Sequence, residues 1–370
     1  MAMDMTLISK GRIGTGSKAL RAALHKAGGR PSAALCLGVL AFFAFGSVLH
    51  AAFGAKSAGT SGAAFLKIGA GARPTAMGRA FTAVADDANT IGWNPAGLGT
   101  LKEKNEFVAM RAELFQDLNY NFFAFAHPTK KWGTIAVGLN NLNVTGIEQR
   151  SADTDNPDST FSSNDSAYTM AYASKIQLER LGFAPFVEGS GLYAGGGLKL
   201  IRQTLAGETA NSVAADLGLL YRLDNRPLSF GFAVQNLGSS SKFKRTSDPL
   251  PLTLKFGSSY RFGENWKWSG VPNWEQSVKN GFLVAADVNS PRDNDPSFHF
   301  GSEFTYGWTD VMASSVRAGY ETGKARQYDS TATGVSAGAG FTYKLFTFDF
   351  AWVPFGDLGD TFRYSVKLRF

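Results

Sequence analysis

The sequence predicts an all-β protein: a 14-stranded antiparallel transmembrane β-barrel with a small N-terminal helical plug in its lumen. Three observations carry this reading. From residue 105 onward, stretches of about ten residues alternate between apolar and polar side chains; an even number of such stretches, fourteen, occurs; and the chain ends on an unbroken alternating stretch whose last residue is aromatic.

Period two marks a strand with two unlike faces. "LTLKFGSSYRF" puts Leu252, Leu254, Phe256, Tyr260 and Phe262 on one face and Thr253, Lys255, Gly257, Ser259 and Arg261 on the other. "SFHFGSEFTYG" repeats this, with Phe298, Phe300, Phe304 and Tyr306 against His299, Gly301, Glu303 and Thr305. In a soluble sandwich the apolar face meets a second sheet. In a membrane barrel it meets lipid, and the other face lines a lumen. Here that other face is glycine-rich and carries charges of both signs: Asp216, Arg222, Asp287, Glu303, Arg317, Glu321, Lys344 and Asp349. Tyr221, Tyr320, Phe341, Tyr343, Phe348 and Trp352 lie near stretch ends, where an interfacial aromatic girdle belongs. Both features favour the membrane barrel.

The stretches begin near Phe107, Leu118, Gly133, Ala167, Leu192, Val213, Leu228, Leu252, Phe282, Phe298, Val316, Val335, Phe346 and Phe362. Connections after odd stretches are often long and polar, as in "VTGIEQRSADTDNPDSTFSSND", "GSSSKFKRTSDP" and "ETGKARQYDSTATG". Several after even ones are tight, such as "HPTKKWG", "LDNRP" and "GWTD", with "QLERLGFAPFVEGSG" and "GENWKWSGVPNWEQSVKNG" as exceptions. In the last stretch, "TFRYSVKLRF", Phe362, Tyr364, Val366, Leu368 and Phe370 alternate with Arg363, Ser365, Lys367 and Arg369. A closed barrel needs its last strand to pair with its first, because an open edge in lipid leaves backbone groups unsatisfied. These five apolar residues also resemble the assembly signal of bacterial outer-membrane barrels. The resemblance implies the outer membrane of a Gram-negative bacterium, its lipid and the barrel-assembly machinery as surroundings.

The start of the chain reads differently. Six basic residues from Lys10 to Arg30 precede an apolar run near residues 32–49 and then small residues around Ala51, Ala52 and Ala55. This is the layout of a secretory signal, assigned to residues 1–55 with cleavage near 52–55; a single membrane anchor is the competing reading. Of 37 Lys and Arg and 30 Asp and Glu, the leader takes six and one, leaving 31 against 29 from Lys56 onward. The net charge of +7 therefore belongs mostly to the leader, and nothing supports nucleic-acid binding. Cys36 leaves with the leader, so the remainder has no thiol chemistry, and His127 and His299 are too few for a histidine-rich metal cluster.

Fourteen strands enclose a lumen that leaks unless filled, and residues 56–104 are the filler, with the barrel at 105–370. "GARPTAMGRAFTAVADDA" places Ala76, Met77, Ala80, Phe81 and Val84 on one face of a short helix, with Pro74 in its first turn. In "GWNPAGL", Pro95 biases Asn94 toward an extended conformation and suits a helix first turn, while Gly97 permits a sharp exit. The segment thus reads as a hinge between plug and first strand, with Arg73, Asp86, Asp87, Trp93, Asn94, Pro95 and Gly97 as its candidate residues. Asp86 and Asp87 suit a solvated helix end, with pairing to wall arginines the alternative.

"AFLKIGAGARPTAMGRAFTAVADDANTIGWNPAGL", together with the ending "WVPFGDLGDTFRYSVKLRF", resembles the PorV/PorQ family, itself similar to the long-chain fatty-acid transporters of the outer membrane. The resemblance covers the plug and the last strands; the middle matches by pattern only. It implies a hatch-filled barrel and two roles. One is uptake of hydrophobic, fatty-acid-like small molecules. The other is service as the membrane component of the type IX secretion system, binding secreted proteins. Arg79 departs from the family's pattern, which has glycine there ("MGGAF"). Uptake requires an apolar path near the hatch, for which Phe81, Trp93, Leu98, Phe123 and Phe125 are the candidates.

Catalytic motifs lack their context. "GVSAG" around Ser336 fits the nucleophile-elbow pattern but lies mid-strand rather than at a strand-to-helix turn. "GRIGTGSK" lacks the lysine and hydroxyl of a phosphate loop and sits in the leader. No catalytic residue, cofactor or metal site is assigned, and His299 reads as a lumen polar residue.

Overall fold

The computed structural model describes residues 60–370 apart from 116, 130, 154, 178–189, 224–226, 244–245, 263–280 and 324–333. The expected signal, Cys36 and "GRIGTGSK" lie outside these residues, as do most of the two long connections after even strands and of "ETGKARQYDSTATG".

Fourteen strands form one closed antiparallel barrel, each paired with its neighbours in sequence. They are β1 (Glu106–Glu113), β2 (Asn119–Thr129), β3 (Gly133–Gln149), β4 (Ser159–Ile176), β5 (Ser190–Leu205), β6 (Glu208–Leu223) and β7 (Leu228–Gly238). There follow β8 (Thr253–Phe262), β9 (Gly281–Pro291), β10 (Ser297–Thr309), β11 (Met312–Glu321), β12 (Val335–Tyr343), β13 (Phe346–Pro354) and β14 (Asp360–Arg369). The ring closes between β1 and β14, from Glu106 opposite Arg369 to Glu113 opposite Phe362. Beyond that ladder, Asn105 and Phe370 exchange both backbone hydrogen bonds, at 2.7 and 3.0 Å. Closure satisfies every edge, the condition for crossing lipid with strands. Among the described residues no helix is long and apolar enough to cross a membrane.

The faces follow the alternation. On β8, Thr253, Lys255, Gly257 and Ser259 are buried inward, while Leu254, Phe256 and Tyr260 face out and stay partly exposed. On β10, His299, Gly301 and Glu303 are buried and Phe300 faces out. Lys344 departs from expectation: it sits exposed in the turn between β12 and β13, with φ of 54° and its Nζ over the Tyr343 ring, and does not line the lumen.

Strands β3 to β6 are the longest, because much of the polar stretch expected as a loop after β3 is itself paired strand: β3 runs to Gln149 and β4 begins at Ser159. At the edge of the apolar belt the outward face turns polar there, and Asn141 Nδ2 donates to Asn164 Oδ1 and Ser166 Oγ. The connection after β7 carries a small hairpin, Ser241–Phe243 against Thr246–Asp248.

The N-terminal segment lies inside the ring. It has one short α-helix, α1 (Ala72–Ala76), and 3-10 turns at Ala64–Lys67, Ala88–Gly92 and Pro95–Thr100. The helix is shorter than the sequence predicts, because Gly78 and Arg79 have φ of 61° and 67° and end it. Four residues of its expected face still come together, Met77, Ala80, Phe81 and Val84 packing with Trp93 against Leu283 and Ala285 of β9, whereas Ala76 packs with Ala72 and with Ala351 of β13. Pro74 falls inside α1, at its third residue.

Candidate functional site

The segment is fastened to the wall by charge. Arg73, in α1 and 7% exposed, donates from Nε and Nη2 to both carboxylate oxygens of Glu303 on β10, at 2.7 and 2.9 Å. Its Nη1 reaches Asp86 at 2.6 Å and Asp87 at 2.9 Å. Glu303 also accepts from Arg317 Nε at 2.6 Å, and Arg317 Nη1 donates to Asp349 at 2.8 Å. Arg261 joins Asp86 at 2.7 Å and Lys367 joins Asp87 at 3.2 Å. Four cations and four carboxylates thus neutralise one another where an unpaired charge would be costly. The expectation of a solvated helix end at Asp86 and Asp87 is corrected: Asp87 is 1% exposed, and wall cations hold both residues. Asp87 Oδ1 additionally caps the 3-10 turn that follows, accepting from Asn89 N at 3.0 Å.

"GWNPAGL", expected as the hinge, is fastened to the segment and the wall through Asn94. Asn94 is extended (φ −148°, ψ 101°) and Pro95 opens the last 3-10 turn. Asn94 Oδ1 accepts from Ala96 N, and Nδ2 donates to Thr82 O at 2.8 Å and to Leu219 O of β6 at 3.1 Å. The wall is hollowed to receive it: a Cβ on Gly218 of β6 would lie 2.1 Å from Asn94 Oδ1. Across the barrel a Cβ on Gly319 of β11 would lie 1.8 Å from Gly78 N. Lumen-face glycines are therefore sockets for the segment's backbone. Gly97 is needed for the same reason and not for a sharp exit, since a Cβ there would lie 2.3 Å from Ala85 O.

Trp93 is 1% exposed and donates from Nε1 to Ala70 O at 2.8 Å. Phe81 meets it edge-on at 6.3 Å. The cations of Lys255 and Arg79 lie 4.6 and 5.9 Å from its ring centroid, within cation–π range. Arg79 holds a left-handed conformation that costs a non-glycine residue roughly 1–2 kcal/mol, which explains why glycine suits this position. His299 bonds Gly78 O at 2.8 Å and Ser336 Oγ bonds Ala76 O at 3.2 Å, so both side chains brace the segment.

The expected apolar path is not continuous. Phe81 and Trp93 belong to one buried cluster and Leu98 to another. Phe123 and Phe125 of β2 face outward, Phe123 being 41% exposed; the inward residues of that strand are Tyr120, Phe122, Ala124 and Ala126. At the barrel's other end, Phe362, Tyr364, Val366 and Leu368 all lie on the outward face of β14, with Phe370 55% exposed beyond it.

An open cavity lies at the end bearing the connections after odd strands. It has a volume of about 390 Å³ and sits between the segment and those connections, within the size range of small-molecule pockets. Leu66 and Ile68 contribute to its floor and Leu114, Phe115, Val353 and Phe355 to its wall, with Phe115 and Phe355 meeting edge-on at 5.7 Å. Gln235, Asn236 and Asn289 add amides, and Arg79 and Lys255 reach it from below. The sequence did not reveal this cup, because it is assembled from the N-terminal segment, inward strand residues and loop residues separated by hundreds of positions. Its one local signal is a phenylalanine (Phe115, Phe355) in each of two short turns.

The fold and its filling define a hatch-plugged transmembrane β-barrel. Residues 43–246 match the uncharacterised protein family UPF0164, and the chain belongs to that family. A comparison with curated proteins finds no significant match. Among solved structures, the Pseudomonas putida toluene transporter TodX is similar at 12% identity and a TM-score of 0.47, over 81% of this chain and 96% of that one. The Ralstonia pickettii toluene transporter TbuX is similar at 14% identity and a TM-score of 0.47, over 81% and 97%. The monoaromatic hydrocarbon channel CymD is similar at 11% identity and a TM-score of 0.48, over 82% and 97%.

Proposed function

We propose that this protein is an outer-membrane channel that admits small, mainly apolar solutes through the cup, with the N-terminal segment as its hatch. The single observation that carries the reading is the cup itself: a cavity of about 390 Å³ with Leu66, Ile68, Leu114, Phe115, Val353 and Phe355 on its apolar side and amides and charges on the other. In this reading the connections after odd strands face the exterior and the chain ends near Asn105 and Phe370 face the periplasm. A solute leaves water for Leu66, Ile68, Phe115 and Phe355, and passes onward when the hatch rearranges. Burial of its apolar surface supplies the affinity, at roughly 25 cal/mol per Å².

Purification from native membranes followed by mass spectrometry of retained small molecules tests this. The unaltered protein should retain lipid-like or hydrocarbon molecules, and a variant with Leu66→Glu and Phe115→Glu should not. Equal retention by both, or recovery of bound secreted proteins in place of small molecules, would overturn the reading.

A further inference from the structure

The rim that carries Asn105 and Phe370 holds cations that the channel does not use. Glu103, at φ 60°, turns the chain there so that Lys104 N donates to Lys102 O at 2.7 Å, and the two lysines flank the turn. Lys131 lies in the turn from β2 to β3, and Lys344 in the turn from β12 to β13. All four are exposed, and none of their ammonium groups has a hydrogen bond or ion pair among the described residues. Arg369, on the same rim, is already paired with Glu106. The exposed acids of this rim among the described residues are Glu103 and Asp310, whereas at the opposite rim Glu113, Asp117, Asp153, Asp155, Glu208 and Asp360 are exposed.

The four lysines share one arc. Leu345 O accepts from Arg369 N at 2.9 Å, Phe370 and Asn105 exchange backbone hydrogen bonds, and Asn105 Oδ1 lies 2.7 Å from His127 Nδ1 on β2. The arc runs across four strand spacings, about 19 Å, room for two lipid heads side by side. Apolar side chains stand beside the cations: Trp132, 76% exposed, follows Lys131, exposed Leu345 follows Lys344, and exposed Phe370 lies against Asn105, next to Lys104. From there the lipid-facing wall continues through Phe341, Phe346 and Leu368. Such an arrangement puts rings and stems at headgroup depth and ammonium groups toward phosphate. A soluble acidic partner would meet the lysines alone and leave the apolar half of the arc uncovered.

We propose that this arc is a binding site for anionic phospholipid of the periplasmic leaflet. Lys102, Lys104, Lys131 and Lys344 take the phosphates, and the acyl chains lie along Phe341, Phe346 and Leu368. The acid-rich opposite rim offers such a head no comparable seat. The inference rests on the proposed reading only for the orientation of the barrel, which sets these chain ends in the periplasm, and it does not involve the cup.

Lipid retention by the detergent-solubilised full chain tests it. The protein is incubated with equimolar phosphatidylglycerol, phosphatidylcholine and lipid A, repurified, and its retained lipid quantified by mass spectrometry. The unaltered protein should retain phosphatidylglycerol about tenfold over phosphatidylcholine, and less so in high salt. Lys102→Gln, Lys104→Gln, Lys131→Gln and Lys344→Gln together should bring the ratio within about twofold, and the corresponding Lys→Arg variant should keep it. Arg202→Gln with Lys242→Gln, both exposed toward the opposite rim, should leave it intact. Equal retention of phosphatidylglycerol and phosphatidylcholine by the unaltered protein, a preference that survives the four glutamines, or a preference for lipid A would each overturn the inference. Small molecules kept in the cup are read from the same extracts. A missing lipid preference with an occupied cup therefore refutes this site alone, and an empty cup with the preference intact refutes the channel reading alone.

Discussion

Arg73 and Glu303 form a two-pronged ion pair between hatch and wall, with both carboxylate oxygens engaged at 2.7 and 2.9 Å. Glu303 also holds Arg317, so its removal leaves two buried guanidiniums short of a partner. Glu303→Ala should destabilise the folded protein by about 3–5 kcal/mol and raise conductance in planar bilayers from near closed to open. Glu303→Gln keeps one acceptor and should do less. Unchanged stability and conductance in both variants would show that the pair does not hold the hatch.

At the outer end, Ser61 and Lys67 both donate to Asp293, the lysine at 2.5 Å. Burial pushes the Asp293 carboxyl up, but hydrogen bonds from Lys67 and Ser61 and the lysine charge outweigh it and hold the group below the usual aspartate value. The sign follows: a lowered folded value contributes stability above the unfolded value of about 4 and loses it as pH falls through the folded one. A spin label on Thr60→Cys should stay immobile from pH 7 to about 4 and gain mobility only at lower pH. Asp293→Asn should free it at pH 7.

Gly218 and Gly196 offer a matched pair on neighbouring strands. A Cβ on Gly218 collides with Asn94, whereas one on outward-facing Gly196 meets Asp216 O at 3.6 Å, an ordinary contact. Gly218→Ala should cost about 1–3 kcal/mol through overpacking and leak in bilayers. Gly196→Ala should remain closed; leakage by both would deny the socket its role.

Depth in the bilayer separates outward residues on β6. Leu217 lies mid-strand and is 51% exposed, so Leu217→Arg should cost roughly 2–4 kcal/mol in lipid-vesicle folding. Asn211→Arg, near the strand's outer end, should cost about 0–1 kcal/mol. Equal costs would misplace the apolar belt.

Phe370 closes the ring with Asn105 through two backbone hydrogen bonds. Deleting it should lower the amount of protein in the outer membrane several-fold while leaving what assembles closed to ions. Immunoblots of membrane fractions would check this, and normal levels would remove the assembly role.

The strands were legible because lipid on one side and a lumen on the other enforce period two. That rule failed on β2, where "NYNFFAFAHPT" is apolar on both faces, since its inner face packs on the hatch instead of water. Phe123 and Phe125 were therefore read on the wrong side. The hatch helix was overextended because nothing local in Gly78 and Arg79 announces two consecutive left-handed residues. Asp86 and Asp87 stood out as a charged pair, but their partners Arg261 and Lys367 lie on strands that only closure brings near.

Five residues, 101–105, join the last hatch turn to β1. Fully extended they reach no more than about 18 Å, less than the roughly 25 Å height of a barrel's apolar band. Anchored at the rim where β1 begins, a leash this short keeps the last hatch turn beside that mouth, as a stopper hangs on its chain. A cross-link between residue 100 and the wall should therefore hold the barrel closed to ions in planar bilayers even when Glu303 is replaced by Ala.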